Sequence, residues 1–256
     1  MLLAIDAGNS NTVFALYDGR KQLAKWRTAT DLAWGADAQG LWLQRLMAGQ
    51  GWDIEPVSGA VVGSVVEGLT GALVQLCRDR CGVDPVLAEA VWPRCGLPIR
   101  VEQPDRVGID RAANAVAAHA HYEGAVLVVD FGTATKFDVV AADGGFEGGA
   151  ICPGFVTSME ALHRSVARVP SVAYARPFGI VGRTTEAAVQ VGASWGYSAL
   201  VEGLIGRIER EYGEAMTVVA TGGLAPLFAP FVPAIDHHET DLTLDGLVLL
   251  YEGGRE

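Results

Sequence analysis

Two copies of a short pattern place a carboxylate beside a glycine and a run of small polar residues. The first copy reads DAGNSNT from Asp6 to Thr12, and the second reads DFGTAT from Asp130 to Thr135. A turn that contains glycine lets backbone N–H groups come close to phosphate oxygens. A carboxylate in the same turn suits a magnesium–phosphate complex, which usually keeps several waters. The pattern therefore predicts two phosphate-binding turns.

The candidate ligands in the two turns differ in type. In the second turn, Thr133 is a candidate phosphate donor and Asp130 a candidate cation ligand. An aspartate in a hairpin turn can also be purely structural. The presence of two copies favours the phosphate interpretation. The candidates in the first turn are Asp6, Gly8, Asn9, Ser10, Asn11 and Thr12.

A third glycine motif follows an apolar run near the end of the chain. The predicted strand Met216 to Ala220 is followed by Thr221 and then by Gly222 and Gly223. Two adjacent glycines at a strand-to-helix turn leave room for adenine or ribose and bring helix N–H groups near a nucleotide. A tight turn with positive φ would use the same residues. The position of this motif after two candidate phosphate turns favours the nucleotide interpretation.

A fourth motif, from Gly108 to Arg111, could serve a hydroxyl acceptor. Phosphoryl transfer needs a group that orients or deprotonates the attacking hydroxyl, and Asp110 could do so. Arg111 could hold a carboxylate of the acceptor through two parallel hydrogen bonds. An aspartate that caps a helix, with arginine in the first turn, would give the same sequence.

The elements around these motifs repeat. Each Asp-x-Gly pattern lies between two apolar runs, which predicts a β-hairpin. Val57 to Val66 reads as a buried strand, and Ile109 to His121, Thr185 to Tyr212 and Leu242 to Glu252 read as helices. Two such halves predict an α/β fold of duplicated ribonuclease H-like lobes with a central cleft, the plan of the actin-like ATPase and sugar kinase superfamily. The predicted lobes span residues 1–118 and 119–256.

Composition excludes several classes of protein. The chain has 256 residues and a formal net charge of −11, which argues against non-specific binding to nucleic acid. Its four cysteines do not suggest a disulfide scaffold, and the glycines do not form a P-loop pattern. The N-terminus lacks the pattern of a secretory signal, and no apolar run is long enough to span a bilayer. We therefore expect a cytoplasmic protein with no membrane partner.

The motifs together resemble the type III pantothenate kinases, also called the Bvg accessory factor family. The resemblance extends from Leu2 to Tyr251, and the order and spacing of its blocks make it specific. The blocks read IDAGNSNTVFALYDG, PDRVGIDRAANAVAAHA, VVDFGTATKFDVV, GGAICPGFVTSMEALH, VGRTTEAAVQVGASWGY, ATGGLAPLF and LTLDGL.

The resemblance implies an activity, cofactors and residue roles. The family phosphorylates the hydroxyl of pantothenate with ATP and a divalent cation such as Mg²⁺, the first step of coenzyme A synthesis. It also uses a monovalent cation, K⁺ or NH₄⁺, and forms homodimers. By position, the resemblance implies that Asp6 to Val13 form the ATP phosphate loop and that Thr133 contacts ATP. It implies that Asp110 accepts the proton, that Gly108, Ile109 and Arg111 belong to the pantothenate loop, and that Thr185 contacts the substrate. It implies that Asp130 is the ligand of the monovalent cation.

Two of the departures from the family pattern beside this predicted site invite a hypothesis. Ile109 stands where the family usually has alanine, and Lys136 where it usually has threonine. Ile109 could reshape the acceptor pocket. The Lys136 ammonium could take the monovalent-cation position beside Asp130, or it could point to solvent or contact phosphate. The alternatives to a pantothenate kinase are a diverged paralogue that acts on another small hydroxy compound and a non-catalytic nucleotide-binding or regulatory homologue.

Overall fold

A computed structural model describes residues 1–166 and 179–254 of the chain. These residues form two compact units. The first unit comprises residues 1–121 together with the segment that begins at Leu242, and the second comprises residues 122–241.

The first unit is built on a mixed five-stranded sheet. Its strands are β1 (Leu2–Ala7), β2 (Asn11–Asp18), β3 (Lys21–Ala29), β4 (Gly59–Ser64) and β5 (Val86–Leu87). Their order in the sheet is β3-β2-β1-β4-β5, with β1 antiparallel to β2 and parallel to β4. Its helices are α1 (Ala36–Gly49), α2 (Thr70–Leu76), α3 (Ala88–Val91) and α4 (Ile109–His121), with a π-helical turn at Cys77–Cys81 and 3₁₀ turns at Trp92–Arg94 and Pro104–Arg106.

The second unit repeats this plan. Its strands are β6 (Val126–Phe131), β7 (Ala134–Val140), β8 (Phe146–Pro153), β9 (Thr217–Thr221) and β10 (His237–His238), in the order β10-β9-β6-β7-β8. Its helices are α5 (Phe155–Ser165), α6 (Thr185–Val191), α7 (Tyr197–Tyr212) and α8 (Ala225–Phe228), with a 3₁₀ turn at Ala229–Phe231. A π-helical turn at Gly192–Gly196 interrupts the long helix predicted from Thr185 to Tyr212.

The two sheets have the same connectivity, which confirms the predicted duplication. In each unit the first three strands form an antiparallel meander, and the fourth and fifth strands add in parallel on the other side of the first strand. β6 thus corresponds to β1, and β9 corresponds to β4. Both Asp-x-Gly patterns lie in antiparallel hairpins, as the sequence predicts.

Alternating apolar residues on the central strands build the core of each unit. In the first unit Leu3 and Ile5 of β1 pack with Phe14 and Leu16 of β2. In the second unit Leu127, Val129 and Phe131 of β6 pack with Phe137 and Val139 of β7. This spacing of two residues is the period with which side chains point to one face of a strand.

The C-terminal helix α9 (Leu242–Gly253) belongs to the first unit, whereas the sequence prediction had grouped it with the second lobe. It packs against α4 at Gly246, where an added Cβ atom would lie 1.9 Å from the carbonyl oxygen of Ala113. The Tyr17 hydroxyl also donates a 3.0 Å hydrogen bond to Asp245. Among the residues that the structure describes, no helix has the length and apolar character required to cross a membrane.

Candidate active site

The first predicted phosphate turn, residues 6–12, connects β1 to β2 and is called here the Asp6 turn. The Gly8 N–H donates a 3.0 Å hydrogen bond to the carbonyl oxygen of Asn11, and an added Cβ at Gly8 would lie 3.3 Å from that same oxygen. Asn9 and Ser10 are exposed at its tip. The turn is therefore closed by its own backbone and presents polar residues to solvent.

Thr30, directly after β3, holds the Asp6 turn from the side. Its hydroxyl donates a 2.6 Å hydrogen bond to the carbonyl oxygen of Gly8, and its backbone N–H donates to Ser10. The hydroxyl oxygens of Thr30 and Thr12 lie 3.0 Å apart. Sequence reasoning missed Thr30, because nothing in its local pattern shows that β3 ends beside this turn.

The acceptor segment, residues 108–111, lies at the same edge of the first sheet as the Asp6 turn. The Val65 N–H donates a 3.0 Å hydrogen bond to the carbonyl oxygen of Ala7. An added Cβ at Gly108 would lie 3.6 Å from Val65 Cγ1 and 2.6 Å from Asp110 Oδ1. Val65 thus joins the two predicted motifs, and only glycine fits at position 108 without displacing the Asp110 carboxylate.

Asp110 lies in the first turn of α4, half-buried, with its carboxylate at the start of the helix. Its Oδ1 accepts a 2.9 Å hydrogen bond from the Arg111 backbone N–H. The N-terminus of a helix favours a negative charge. The geometry therefore includes a helix-terminal interaction of the kind that the sequence left as an alternative.

Ile109 is buried, with 4% of its surface exposed. Its Cγ1 would lie 3.5 Å from a Cβ added at Gly63, where Leu247 of α9 also packs. The isoleucine side chain therefore fills the interior of the first unit between β4 and α9.

Glu89 of α3 reaches the same sheet edge and was not anticipated from the sequence. Its Oε1 accepts a 2.7 Å hydrogen bond from the Ser64 N–H at the end of β4. Partial burial of this carboxyl raises its pKa above the usual value for glutamate, and backbone hydrogen bonds partly offset that shift. A lone glutamate in a short helix gives no sequence signal of such a contact.

In the second unit, Asp130 lies near the end of β6, directly opposite Lys136 of β7. Lys136 Nζ lies 2.7 Å from Asp130 Oδ2, and the two side chains are 15% and 12% exposed. The pair is thus largely shielded from water. The solvent-pointing alternative for Lys136 is inconsistent with this position.

Two further turns surround the Asp130 turn, residues 130–135. Gly222 has φ +91°, and its Cβ would lie 2.4 Å from Asp130 Oδ1. A Cβ at Gly154 would lie 2.4 Å from the carbonyl oxygen of Thr133, which also accepts a 2.8 Å hydrogen bond from the Thr157 hydroxyl. Thr133 itself and Gly223 are exposed. The structure therefore brings Asp130, Thr133 and the paired glycines together within one unit.

Thr185 is the first residue of α6 in the second unit and is exposed. Its neighbour Thr184 caps that helix by accepting a 3.1 Å hydrogen bond from the Ala187 N–H. The capping role thus belongs to Thr184, which leaves the Thr185 side chain available to a ligand.

Metal-ligating side chains do not cluster in the part of the chain that the structure describes. No group of three or more histidine, cysteine, aspartate or glutamate residues there could hold a metal ion. A magnesium ion that is carried by nucleotide phosphates needs only one or two protein carboxylates. Asp6 fits that smaller requirement. The four cysteines, as expected, are free: Cys77, Cys81, Cys95 and Cys152.

Comparison with known proteins gives one consistent family. The family model described as type III pantothenate kinase matches residues 2–207. A type III pantothenate kinase of Paramagnetospirillum magneticum is 47% identical over 251 residues, which cover 98% of this chain and 96% of that protein. The type III pantothenate kinase of Hyphomonas neptunium is 44% identical over 255 residues and covers all of both chains.

Solved structures with low sequence identity share the fold. A Baf family protein from Campylobacter jejuni, named as a transcriptional activator, gives a TM-score of 0.62 at 18% identity and covers 99% of this chain and 98% of its own. An inorganic polyphosphate/ATP-glucomannokinase from Arthrobacter gives a TM-score of 0.51 at 17% identity with the same coverage. These likenesses confirm the predicted α/β fold of duplicated ribonuclease H-like lobes.

Proposed function

This chain belongs to the type III pantothenate kinase family, and we propose that it transfers the γ-phosphoryl group of ATP to the hydroxyl of pantothenate. The reaction would be the first step of coenzyme A synthesis. The proposal rests on one observation: the Asp6 turn and the acceptor segment lie at the same edge of the first sheet, where Val65 contacts both. A turn that holds phosphates and a carboxylate that accepts the hydroxyl proton are two of the parts that recur in phosphoryl transfer to an alcohol.

Asp110 is proposed as the proton acceptor. The hydroxyl oxygen of pantothenate attacks the γ-phosphorus, the bond from that phosphorus to the bridging oxygen of ADP breaks, and the hydroxyl proton moves to the Asp110 carboxylate. The products are phosphopantothenate and ADP. Arg111 is proposed to hold the pantothenate carboxylate, and Gly108 to leave room for the acceptor. Ile109 then contributes through its backbone, since its side chain is buried.

The Asp6 turn is proposed to bind the ATP phosphates through the backbone of Gly8 and the polar residues at its tip. Mg²⁺, when bound with ATP, would neutralise phosphate charge, and the Asp6 carboxylate fits it as a ligand. In the second unit, Thr133 and the Gly222 turn (residues 221–225) are proposed as nucleotide contacts. Most of the rate would come from positioning and charge neutralisation. Thr185 is proposed as a further contact to the acceptor.

A separate monovalent cation at Asp130, which the family resemblance implies, does not fit this chain. The Asp130 carboxylate already carries the Lys136 ammonium at 2.7 Å. A K⁺ ion on the same carboxylate would repel that ammonium at close range.

A homodimer is the proposed assembly. Apolar side chains of β8 and α5 are exposed in the second unit: Ile151 at 60%, Val156 at 47% and Leu162 at 39%. Exposed apolar groups of this kind are typical of protein–protein contacts. Light scattering after size exclusion would measure the mass directly, and a monomer would contradict the proposal. A kinase that uses ATP also fits the cytoplasm, the predicted compartment.

The test of the proposed function is ADP release by the purified chain with Mg-ATP and pantothenate. The Asp110→Asn variant removes the proton acceptor while it keeps the side-chain shape. Its kcat should fall by about 10²–10⁴-fold, the usual contribution of general base catalysis. Asp105→Asn is the matched control, because Asp105 is exposed in the preceding 3₁₀ turn. Its kcat should stay at the wild-type value.

Three outcomes separate the alternatives. An unchanged kcat in Asp110→Asn would reject Asp110 as the base. Turnover of another hydroxy acid, with none on pantothenate, would replace the acceptor but keep the kinase chemistry. ATP binding without turnover on any hydroxy acid would reject the enzyme assignment. Circular dichroism of each variant distinguishes lost chemistry from lost folding.

A further inference from the structure

The pairing of Asp130 with Lys136 follows from the strand register of the second unit. The two residues are direct cross-strand partners in β6 and β7, so their side chains leave the sheet on the same face. The core of this unit lies on the other face, where Val129 and Phe137 pack. The pair is therefore fixed by backbone geometry and does not depend on a flexible loop.

The setting of the pair keeps the ammonium in place. Lys136 Nζ donates a 2.7 Å hydrogen bond to Asp130 Oδ2, with side-chain exposures of 15% and 12%. Water competes poorly for charged groups that are so little exposed, so such a pair persists where a surface ion pair would separate. Asp138 lies two residues further along β7 on the same face and is fully buried. A second carboxyl group therefore lies on the face of β7 that carries the ammonium.

The other oxygen of Asp130 faces the glycine turns. Asp130 Oδ1 lies 2.4 Å from the position of an added Cβ at Gly222 and 3.5 Å from that of one at Gly132. One carboxylate oxygen therefore carries the cation, and the other borders two of the proposed nucleotide-binding turns. A positive charge held on Oδ2 reduces the negative potential that nucleotide phosphates would meet at these turns.

We infer that Lys136 is a built-in replacement for a monovalent cation at Asp130, so that this enzyme works without added K⁺ or NH₄⁺. An alkylammonium carries the same charge as NH₄⁺ and has three N–H donors where NH₄⁺ has four, and its tether removes the need to recruit an ion from solution. The inference rests on the proposed kinase function for its activity readout. Its binding readout does not require turnover.

The experiment compares wild type with Lys136→Thr, which opens the cation position. Initial rates of ADP release are measured in potassium-free buffer and in KCl, with tetramethylammonium chloride keeping the ionic strength equal so that screening does not change. Wild type should respond by less than about twofold. Lys136→Thr should lose about tenfold to a hundredfold in potassium-free buffer, the range for one lost hydrogen bond between charged groups, and should recover with K⁺ or NH₄⁺.

Thermal unfolding supplies the readout that is independent of catalysis. K⁺ should raise the Tm of Lys136→Thr but not that of wild type, because a ligand stabilises only a protein that binds it. Lys136→Arg keeps a positive charge and should remain independent of K⁺. Lys21→Thr, an exposed lysine at the start of β3, is the matched control and should behave as wild type.

Each result decides the inference. Strong activation of wild type by K⁺, or a K⁺-dependent rise in its Tm, would overturn it even if no variant folds. A folded Lys136→Thr variant that responds to K⁺ in neither assay would also overturn it. If the wild type does not phosphorylate pantothenate, the proposed function fails, and the Tm comparison still tests the cation position.

Discussion

Thr30→Val removes a hydroxyl that ties the end of β3 to the Asp6 turn. The Thr30 hydroxyl has a single hydrogen, and the Gly8 carbonyl, 2.6 Å away, can only accept. The 3.0 Å contact with Thr12 must then use the Thr12 hydrogen, with Thr30 as acceptor. Valine has nearly the same shape as threonine, so the substitution deletes both hydrogen bonds with little change in packing.

The expected loss of stability can be worked out from the two bonds. Gly8 is partly exposed, so its carbonyl oxygen can take water instead, and that bond should contribute about 1 kcal/mol. Thr12 is only 2% exposed, and a buried donor that loses its acceptor costs about 1–3 kcal/mol. The free energy of unfolding of the first unit should therefore fall by about 2–4 kcal/mol.

Urea unfolding followed by tryptophan fluorescence measures this change. The first unit contains five of the six tryptophans, so the signal reports mainly on that unit: Trp26, Trp34, Trp42, Trp52 and Trp92. The midpoint should fall with an unchanged m value. Thr30→Ser keeps the hydroxyl and should lose less than about 1.5 kcal/mol, as is usual for a small loss of packing.

A kinetic measurement links the same bonds to the site. The KM for ATP should rise in Thr30→Val, because the Asp6 turn is no longer held from the side, and it should recover in Thr30→Ser. Two results would refute the reasoning. One is a valine variant within about 0.5 kcal/mol of wild type, the scatter of ordinary surface substitutions. The other is a serine variant that falls as far as the valine variant.

Two further predictions concern the first unit. Gly246→Ala should destabilise the protein by about 3 kcal/mol or more, because the added Cβ would lie 1.9 Å from the Ala113 carbonyl oxygen. Gly253→Ala on the same helix is the control. Its added Cβ meets open space, so the variant should be neutral in thermal unfolding. Burial raises the pKa of the Cys77 thiol to about 12 and that of Cys81 to about 11. Neither should therefore be alkylated by iodoacetamide in the native protein at mildly alkaline pH, and mass spectrometry that finds rapid native labelling of either would contradict this.

The sequence was informative where structure depends on local spacing. Periodicity and turn residues predicted both hairpins and placed α4 at Ile109–His121, the bounds that the structure has. The packing of α9 on α4 was not predicted, because the contact of Gly246 with Ala113 joins residues far apart in the chain and no local period encodes it. The contacts of Thr30 and Glu89 were missed for the same reason. Contacts between residues far apart in the chain determine where a motif lies in the fold, whereas local spacing identifies only the type of motif.

The duplicated turns illustrate this difference between motif and setting. Both read Asp-x-Gly, yet the register pairs Asp6 with Val13 across the hairpin and Asp130 with Lys136. The Asp6 turn has four residues between its last paired positions, from Gly8 to Asn11, and the Asp130 turn has three. Val13 opposite Asp6 brings no charge across the first hairpin, whereas Lys136 opposite Asp130 places an ammonium 2.7 Å from that carboxylate. One additional residue in the turn and a different cross-strand partner therefore give two copies of the same pattern different electrostatic surroundings.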